Sequence, residues 1–159
     1  MALTILVTDD HAILRTCLIS FLNNEPGLHV VGEAENGEQA CRLVGELQPD
    51  ILLLDISMPG IDGIETLRRI VKVYPAVRAI FLTAHDEDCF LQEGLRAGAS
   101  GYVLKQASPL ELVKAIHTVA GGKVYVDPGM VRSHPQGDFT RYVNPNKRIL
   151  KPVEVLSKR

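Results

Sequence analysis

The chain has 159 residues, 46% of them apolar and 23% charged, with a formal net charge of −2. That length suits one core of roughly 100–150 residues plus an appendage. No apolar run approaches the ~20 residues of a membrane span, and no basic segment followed by a signal-like stretch opens the chain, so a membrane role is excluded and a cytoplasmic location is expected.

In chain order, Leu3–Thr8 reads as a strand that runs into Asp9-Asp10. A helix follows His11, with Ile13, Leu14, Cys17, Leu18, Phe21 and Leu22 as its core stripe and Ala12, Thr16 and Ile19 on the outward side. Pro26-Gly27 breaks it, Leu28–Ala34 is a second strand, and Asn36 caps a second helix that reaches about Leu47. Ile51–Leu54 is a third strand ending at Asp55, and the turn formers of Ser57-Met58-Pro59-Gly60-Ile61-Asp62-Gly63 predict an irregular connection to a helix from about Ile64 to Val73. A fourth strand, Ala79–Leu82, ends at Thr83, and a helix over about Asp88–Ala97 stops at Gly98. A fifth strand, Gly101–Leu104, ends at Lys105. Ser108, Pro109 and Glu111 then mark the start of a fifth helix, by capping box and N1 proline, which stops at Gly121-Gly122.

Strands alternating with helices imply right-handed crossovers. The near-continuous apolar strands predict burial on both faces. The fold expected is α/β, a doubly wound five-stranded parallel sheet of flavodoxin-like order 2-1-3-4-5 with helices on both faces. Val124-Tyr125-Val126 is at most one last extended piece, and residues 123–152, broken by Pro128, Pro135, Pro145 and Pro152, read as a linker. Residues 1–122 hold nine Lys/Arg against 16 Asp/Glu, whereas 123–159 hold eight against three, so an acidic domain carries a basic tail. Cys17, Cys41 and Cys89 are widely spaced without a CxxC, which predicts buried small side chains rather than disulfides or a zinc site.

In a sheet of this kind the carboxyl ends of the strands share one edge, where ligands bind. Asp9, Asp10, Asp55, Thr83 and Lys105 therefore converge in one crevice. Gathered carboxylates repel one another, and a divalent hard cation such as Mg²⁺ relieves that cost while leaving positions for phosphate oxygens. A carboxylate can attack phosphorus to form an acyl phosphate, and Asp55, ending the central strand, is placed to do so. Lys105 and the Thr83 hydroxyl are then available to the charged oxygens.

These residues carry a resemblance. Asp9-Asp10, Asp55 in Asp-Ile-Ser-Met-Pro-Gly-Ile-Asp-Gly, Thr83-Ala84, and Gly98-Ala99-Ser100-Gly101-Tyr102-Val103-Leu104-Lys105 make residues 1–122 resemble the receiver domain of a two-component response regulator. The resemblance implies that Asp55 accepts a phosphoryl group from a sensor histidine kinase. It implies that Asp10, Asp55 and the Ser57 carbonyl hold Mg²⁺, with Asp9 acting through water. It further implies that Thr83 moves toward the phosphate, that Tyr102 turns inward, and that Ser57 and His85 tune dephosphorylation. His11 is at most a contact to the metal's water shell, more simply a polar residue at a helix start, and Met58 and Ile19 are candidate partner contacts.

Asp9-Asp10-His11, Thr83-Ala84-His85 and Gly121-Gly122 before Val124-Tyr125 are similar to the branch that carries a LuxR-type helix-turn-helix. Residues 153–159 look like the start of that module. The expectation is a chain cut short of it, which reaches DNA only through the missing domain, forms a homodimer on phosphorylation, and is no enzyme beyond self-catalysed phosphoryl transfer and dephosphorylation. Lys105 is followed by Gln106 rather than proline, so a trans bond is expected there. Three other readings compete. A haloacid-dehalogenase-like phosphatase would need a second aspartate where Ser57 stands. A flavin or nucleotide site would need a phosphate-cradling loop in place of Asp9-Asp10-His11. A receiver used for interaction alone, taking no phosphate, is left open.

Overall fold

A computed structural model describes residues 2–84 and 88–133. Six strands, β1 (Leu3–Thr8), β2 (Leu28–Ala34), β3 (Ile51–Leu54), β4 (Arg78–Thr83), β5 (Gly101–Leu104) and β6 (Tyr125–Val126), form one sheet in the order β2-β1-β3-β4-β5-β6. Every pairing is parallel. The helices are α1 (Ala12–Asn23), α2 (Gly37–Leu47), α3 (Gly63–Val73), α4 (Asp88–Ala97), α5 (Pro109–Ala120) and α6 (Pro128–Ser133). α2, α3 and α4 pack in sequence along one face. α1 and α5 share the other, where Leu14, Leu18 and Phe21 of α1 and Leu112 of α5 line one apolar cleft.

The three-layer arrangement follows from what the strands must hide. Ile5, Leu6, Val7 and the whole of Ile51–Leu54 are buried, so both faces of the central strands need helix cover. The caps anticipated from sequence are made. Asn36 accepts the Gln39 N–H at 2.9 Å, and Ser108 accepts the Glu111 N–H at 3.4 Å. Asp62 caps α3 in the same way, accepting the Glu65 N–H at 2.8 Å. The reciprocal arm of the Ser108 box is absent, because the Glu111 carboxylate accepts from the Tyr125 hydroxyl instead. No cis peptide bond occurs among the described residues, Lys105–Gln106 included.

Several expectations are corrected. The sheet has six strands, not five, because Tyr125–Val126 pairs with Gly101 and Tyr102 of β5. The first eleven residues of the expected linker, 123–133, thus include a strand and a short helix docked on the β5 edge, while the remainder and the 153–159 stub lie outside the described residues. The buried stripe of α1 is rotated from the sequence reading: Ile13 is 82% exposed and Cys17 is exposed, whereas Ile19 packs against the core. Met58 is buried, and so is not a free contact, and Cys89 is exposed.

Candidate functional site

The carboxyl edge of the sheet is assembled by the strand ladder itself. The Asp9 N–H donates to the Ala34 carbonyl at 3.1 Å, Asp55 N–H to Thr8 at 3.1 Å, and Lys105 N–H to Thr83 at 2.7 Å. Each backbone bond continues a strand pairing past its last residue, so Asp9 lies opposite Asp55, with Thr83 one residue and Lys105 two residues further along the same edge. Asp9, Asp55 and Thr83 are buried. The Lys105 ammonium lies 3.1 Å from Asp9 Oδ2 and 3.1 Å from Asp55 Oδ2, a bridge across two strands.

Burial pushes the Asp55 carboxyl above its ordinary range; Lys105 opposes this and the Asp9 charge adds to it. For Lys105, burial pulls its ammonium down, but Asp55 and Asp9 outweigh that and leave it raised. One cation is therefore held firmly, yet it does not compensate Asp55 for leaving water.

Asp10 adds a third carboxylate. Its Oδ1 is buried with no hydrogen-bond partner. The His11 imidazole leans over the pair, its Nδ1 3.0 Å from Asp9 Oδ1 and 3.3 Å from Asp10 Oδ1. Ligand atoms of Asp9, Asp10, His11 and Asp55 all lie within 4.8 Å of one another. An orphaned carboxylate oxygen beside two others is the donor set of a hard divalent cation, and the pocket fits one. The approach is open: a crevice of about 500 Å³ lined by Asp10, His11, Ser57, Met58, Pro59 and Phe90, among others, leads to it.

The remaining predicted residues fall as follows. The Ser57 N–H faces Asp55 Oδ1 at 3.4 Å, and its side chain is exposed. Tyr102 is fully buried, edge-on to Phe81 with ring centroids 6.3 Å apart. His85 lies outside the described residues.

Three contributors escape the sequence reading, and a fourth, His11, reads there only as a helix-start residue or at most a water-shell contact. Arg15 donates to the Asp9 carbonyl at 2.6 Å and to Glu33 at 2.7 Å, tying α1 to the pocket floor. His11 turns into the site. Gly63 brings α3 so close that a Cβ there would lie 2.1 Å from the Asp55 carbonyl oxygen. Asp127 is buried after β6, accepting the Leu104 N–H at 3.0 Å and the Gly129 N–H at 2.7 Å, and so fixes the residue before Lys105. Arg15 recurs one helical turn from His11, which was the only available signal. Asp127 gave none, because its role depends on the unpredicted strand.

Comparison with known proteins agrees with this geometry. The family model described as the response regulator receiver domain matches residues 5–117. The chain is similar to the response regulator GacA of Pseudomonas viridiflava, 37% identical over 155 residues, covering 98% of this chain and 70% of that protein. It is likewise similar to the transcriptional regulatory protein DegU of Brevibacillus brevis, 32% identical over 166 residues, with the same coverage of each. Among solved structures, a two-component response regulator of the LuxR family from Aurantimonas sp. SI85-9A1 superposes with a TM-score of 0.82 at 35% identity, covering 86% of this chain and 97% of that one. With the acidic crevice, its bridging lysine and the parallel sheet in place, the chain belongs to the response regulator receiver domain family, and its relatives are LuxR-type response regulators.

Proposed function

We propose that this receiver is a phosphoacceptor switch in which Asp55 takes a phosphoryl group from a phosphohistidine of a sensor histidine kinase. The observation that carries this reading is the buried Asp55 carboxylate with Lys105 Nζ at 3.1 Å and an Asp10 carboxylate oxygen within 4.8 Å. An Asp55 oxygen attacks phosphorus, the bond from phosphorus to the kinase imidazole nitrogen breaks, and an acyl phosphate forms. Lys105 then exchanges carboxylates for phosphoryl oxygens, and the Thr83 hydroxyl supplies a further donor.

Asp10, Asp55 and the Ser57 carbonyl would hold Mg²⁺, with Asp9 acting through water. Bound there, the ion supplies neutralisation of charge on the transferred group. Ser57 and His85 tune how long the phosphate survives, and Tyr102 reports the state of the pocket to the α4–β5 side. The output is transcriptional, through a LuxR-type helix-turn-helix outside residues 1–133, with a homodimer formed on phosphorylation. The chain works in the cytoplasm and turns over no separate substrate; no helix among the described residues is long and apolar enough to cross a membrane.

Incubation with Mg²⁺ and acetyl phosphate is expected to add one hydroxylamine-labile phosphoryl group per chain, visible by intact mass. Asp55→Asn is expected to abolish it. Stoichiometric labelling retained in Asp55→Asn would overturn the assignment.

A further inference from the structure

We propose that the His11 imidazole is a nitrogen ligand of the divalent-ion site, so that the site holds ions favouring imidazole, such as Co²⁺, more tightly than Mg²⁺; this rests on the reading that the crevice binds a cation. Three facts about His11 point the same way. The ring is not directed along the α1 surface but over the acidic pair, with Nδ1 3.0 Å from Asp9 Oδ1 and 3.3 Å from Asp10 Oδ1. Adjacent ligands of an octahedral ion are separated by √2 times the bond length, about 3.0 Å for a bond of about 2.1 Å. The 3.3 Å spacing to Asp10 Oδ1, the direct ligand of the pair, is near that octahedral edge, while Asp9 is reached through water.

The second fact concerns what a hydrogen bond leaves undone. Asp9 Oδ1 already accepts the backbone N–H of His11 at 2.8 Å, and Lys105 occupies Asp9 Oδ2. As a hydrogen bond the ring's 3.0 Å contact serves Asp9 Oδ1, whose second lone pair can take it, but it leaves Asp10 Oδ1 buried with no hydrogen-bond partner. An ion held by the ring nitrogen and Asp10 Oδ1, with Asp9 reached through water, satisfies all three groups together. The third is access. The His11 side chain is 67% exposed, so the nitrogen can join or leave the ion without disturbing the core.

The chemistry sets the selectivity. Mg²⁺ prefers oxygen ligands and keeps several waters, and gains little from an imidazole. Later first-row ions bind nitrogen well and rise in affinity along the series toward copper. His11 therefore acts as a selectivity residue, with Asp10 and Asp55 as the shared base of the site.

The test is calorimetric titration of the full chain with Mg²⁺ and, separately, Co²⁺, for wild type, His11→Ala, His11→Gln and Asp10→Ala. Proton NMR of the Co²⁺ form accompanies it. Both His11 variants are expected to keep their Mg²⁺ affinity within about twofold and to lose Co²⁺ affinity about tenfold or more. A hyperfine-shifted imidazole N–H resonance is expected in wild type and not in His11→Gln, which retains a side-chain donor for Asp9. Unchanged Co²⁺ affinity in both variants, with the shifted resonance retained, would overturn the inference and leave His11 as a helix-start hydrogen bond. Wild type that binds neither ion, or Asp10→Ala that binds both as wild type does, would instead overturn the cation-site reading and this inference with it.

Discussion

Asp55 is held in a position that is unfavourable to it until something else arrives. Its carboxyl is raised by burial, despite an ammonium at 3.1 Å. A carboxyl raised on folding contributes stability below its unfolded value of about 3.9, and that contribution is lost as pH climbs through the raised folded value. Lys105, also raised, keeps its contribution throughout the neutral range and loses it only above the ordinary lysine range. In chelator-treated buffer at pH 7, Asp55→Asn is thus expected to unfold at higher temperature than wild type, each kcal/mol appearing as about 4 °C. Lys105 keeps Asp9 as a partner. The difference should shrink as pH falls toward 4 and vanish below it. Thermal unfolding from pH 3.5 to 7.5 checks both the sign and the window, and a destabilised Asp55→Asn at pH 7 would contradict it.

At this scale the site was largely legible. Asp9, Asp10, Asp55 and Lys105 end runs whose burial and parallel sense dictate a shared edge, so position along the chain gave position in space. His11 and Arg15 were not legible in the same way, because the first turn of a helix can aim a side chain at the crevice or at water with equal ease, and only the roll of α1 decides.

That roll is itself a finding about elements. The sequence reading puts Ile13 and Cys17 in one apolar stripe with Leu14, Leu18, Phe21 and Leu22 and leaves Ile19 outward. Period alone does not fix the roll of a helix this apolar, and the face that packs runs through Ile19 and Leu22 instead. Arg15 anchoring to the Asp9 carbonyl and to Glu33 holds this roll and leaves Ile13 in solvent. Caps, by contrast, were readable, since Asn36 and Ser108 carry their own chemistry. α3 shows how tightly an element can be set against the site. The Gly63 N–H donates to the Ile56 carbonyl at 2.7 Å, and a Cβ would collide with the Asp55 carbonyl oxygen. Backbone cannot swing away as a side chain would. Gly63→Ala is expected to cost more than about 2 kcal/mol, and to slow phosphorylation by acetyl phosphate at least tenfold. Gly60→Ala is the control: at φ +81° with open space around it, only the left-handed backbone cost of about 1 kcal/mol applies. Urea unfolding and labelling rates on the two variants distinguish them; equal effects would remove the steric account.

For the molecule as a whole, the last two elements decide where the folded unit stops. Val124, Tyr125, Val126 and Met130 are all buried, and Asp127 supplies the acceptor for the Leu104 N–H. Burying such side chains is worth about 1.5–3 kcal/mol each, an upper figure because the unfolded chain is already partly compact. Ending the chain after Gly122 is expected to lower stability by at least about 3 kcal/mol in urea unfolding relative to the full chain. Coincident midpoints would return the boundary to residue 122. Sequence placed the boundary there because a two-residue strand has no period to detect and Gly121-Gly122 is a strong stop signal. The sense of that small strand has one more effect. Had β6 run antiparallel to β5, the polypeptide would have turned back toward the amino ends of the strands. Running parallel, it delivers α6 to the same rim as the acidic crevice, with Asp127 one strand away from Lys105. The exit of the chain and the seat of its chemistry therefore share a rim, and a change in charge at Asp55 has only the width of two strands to cross before it meets the departing backbone.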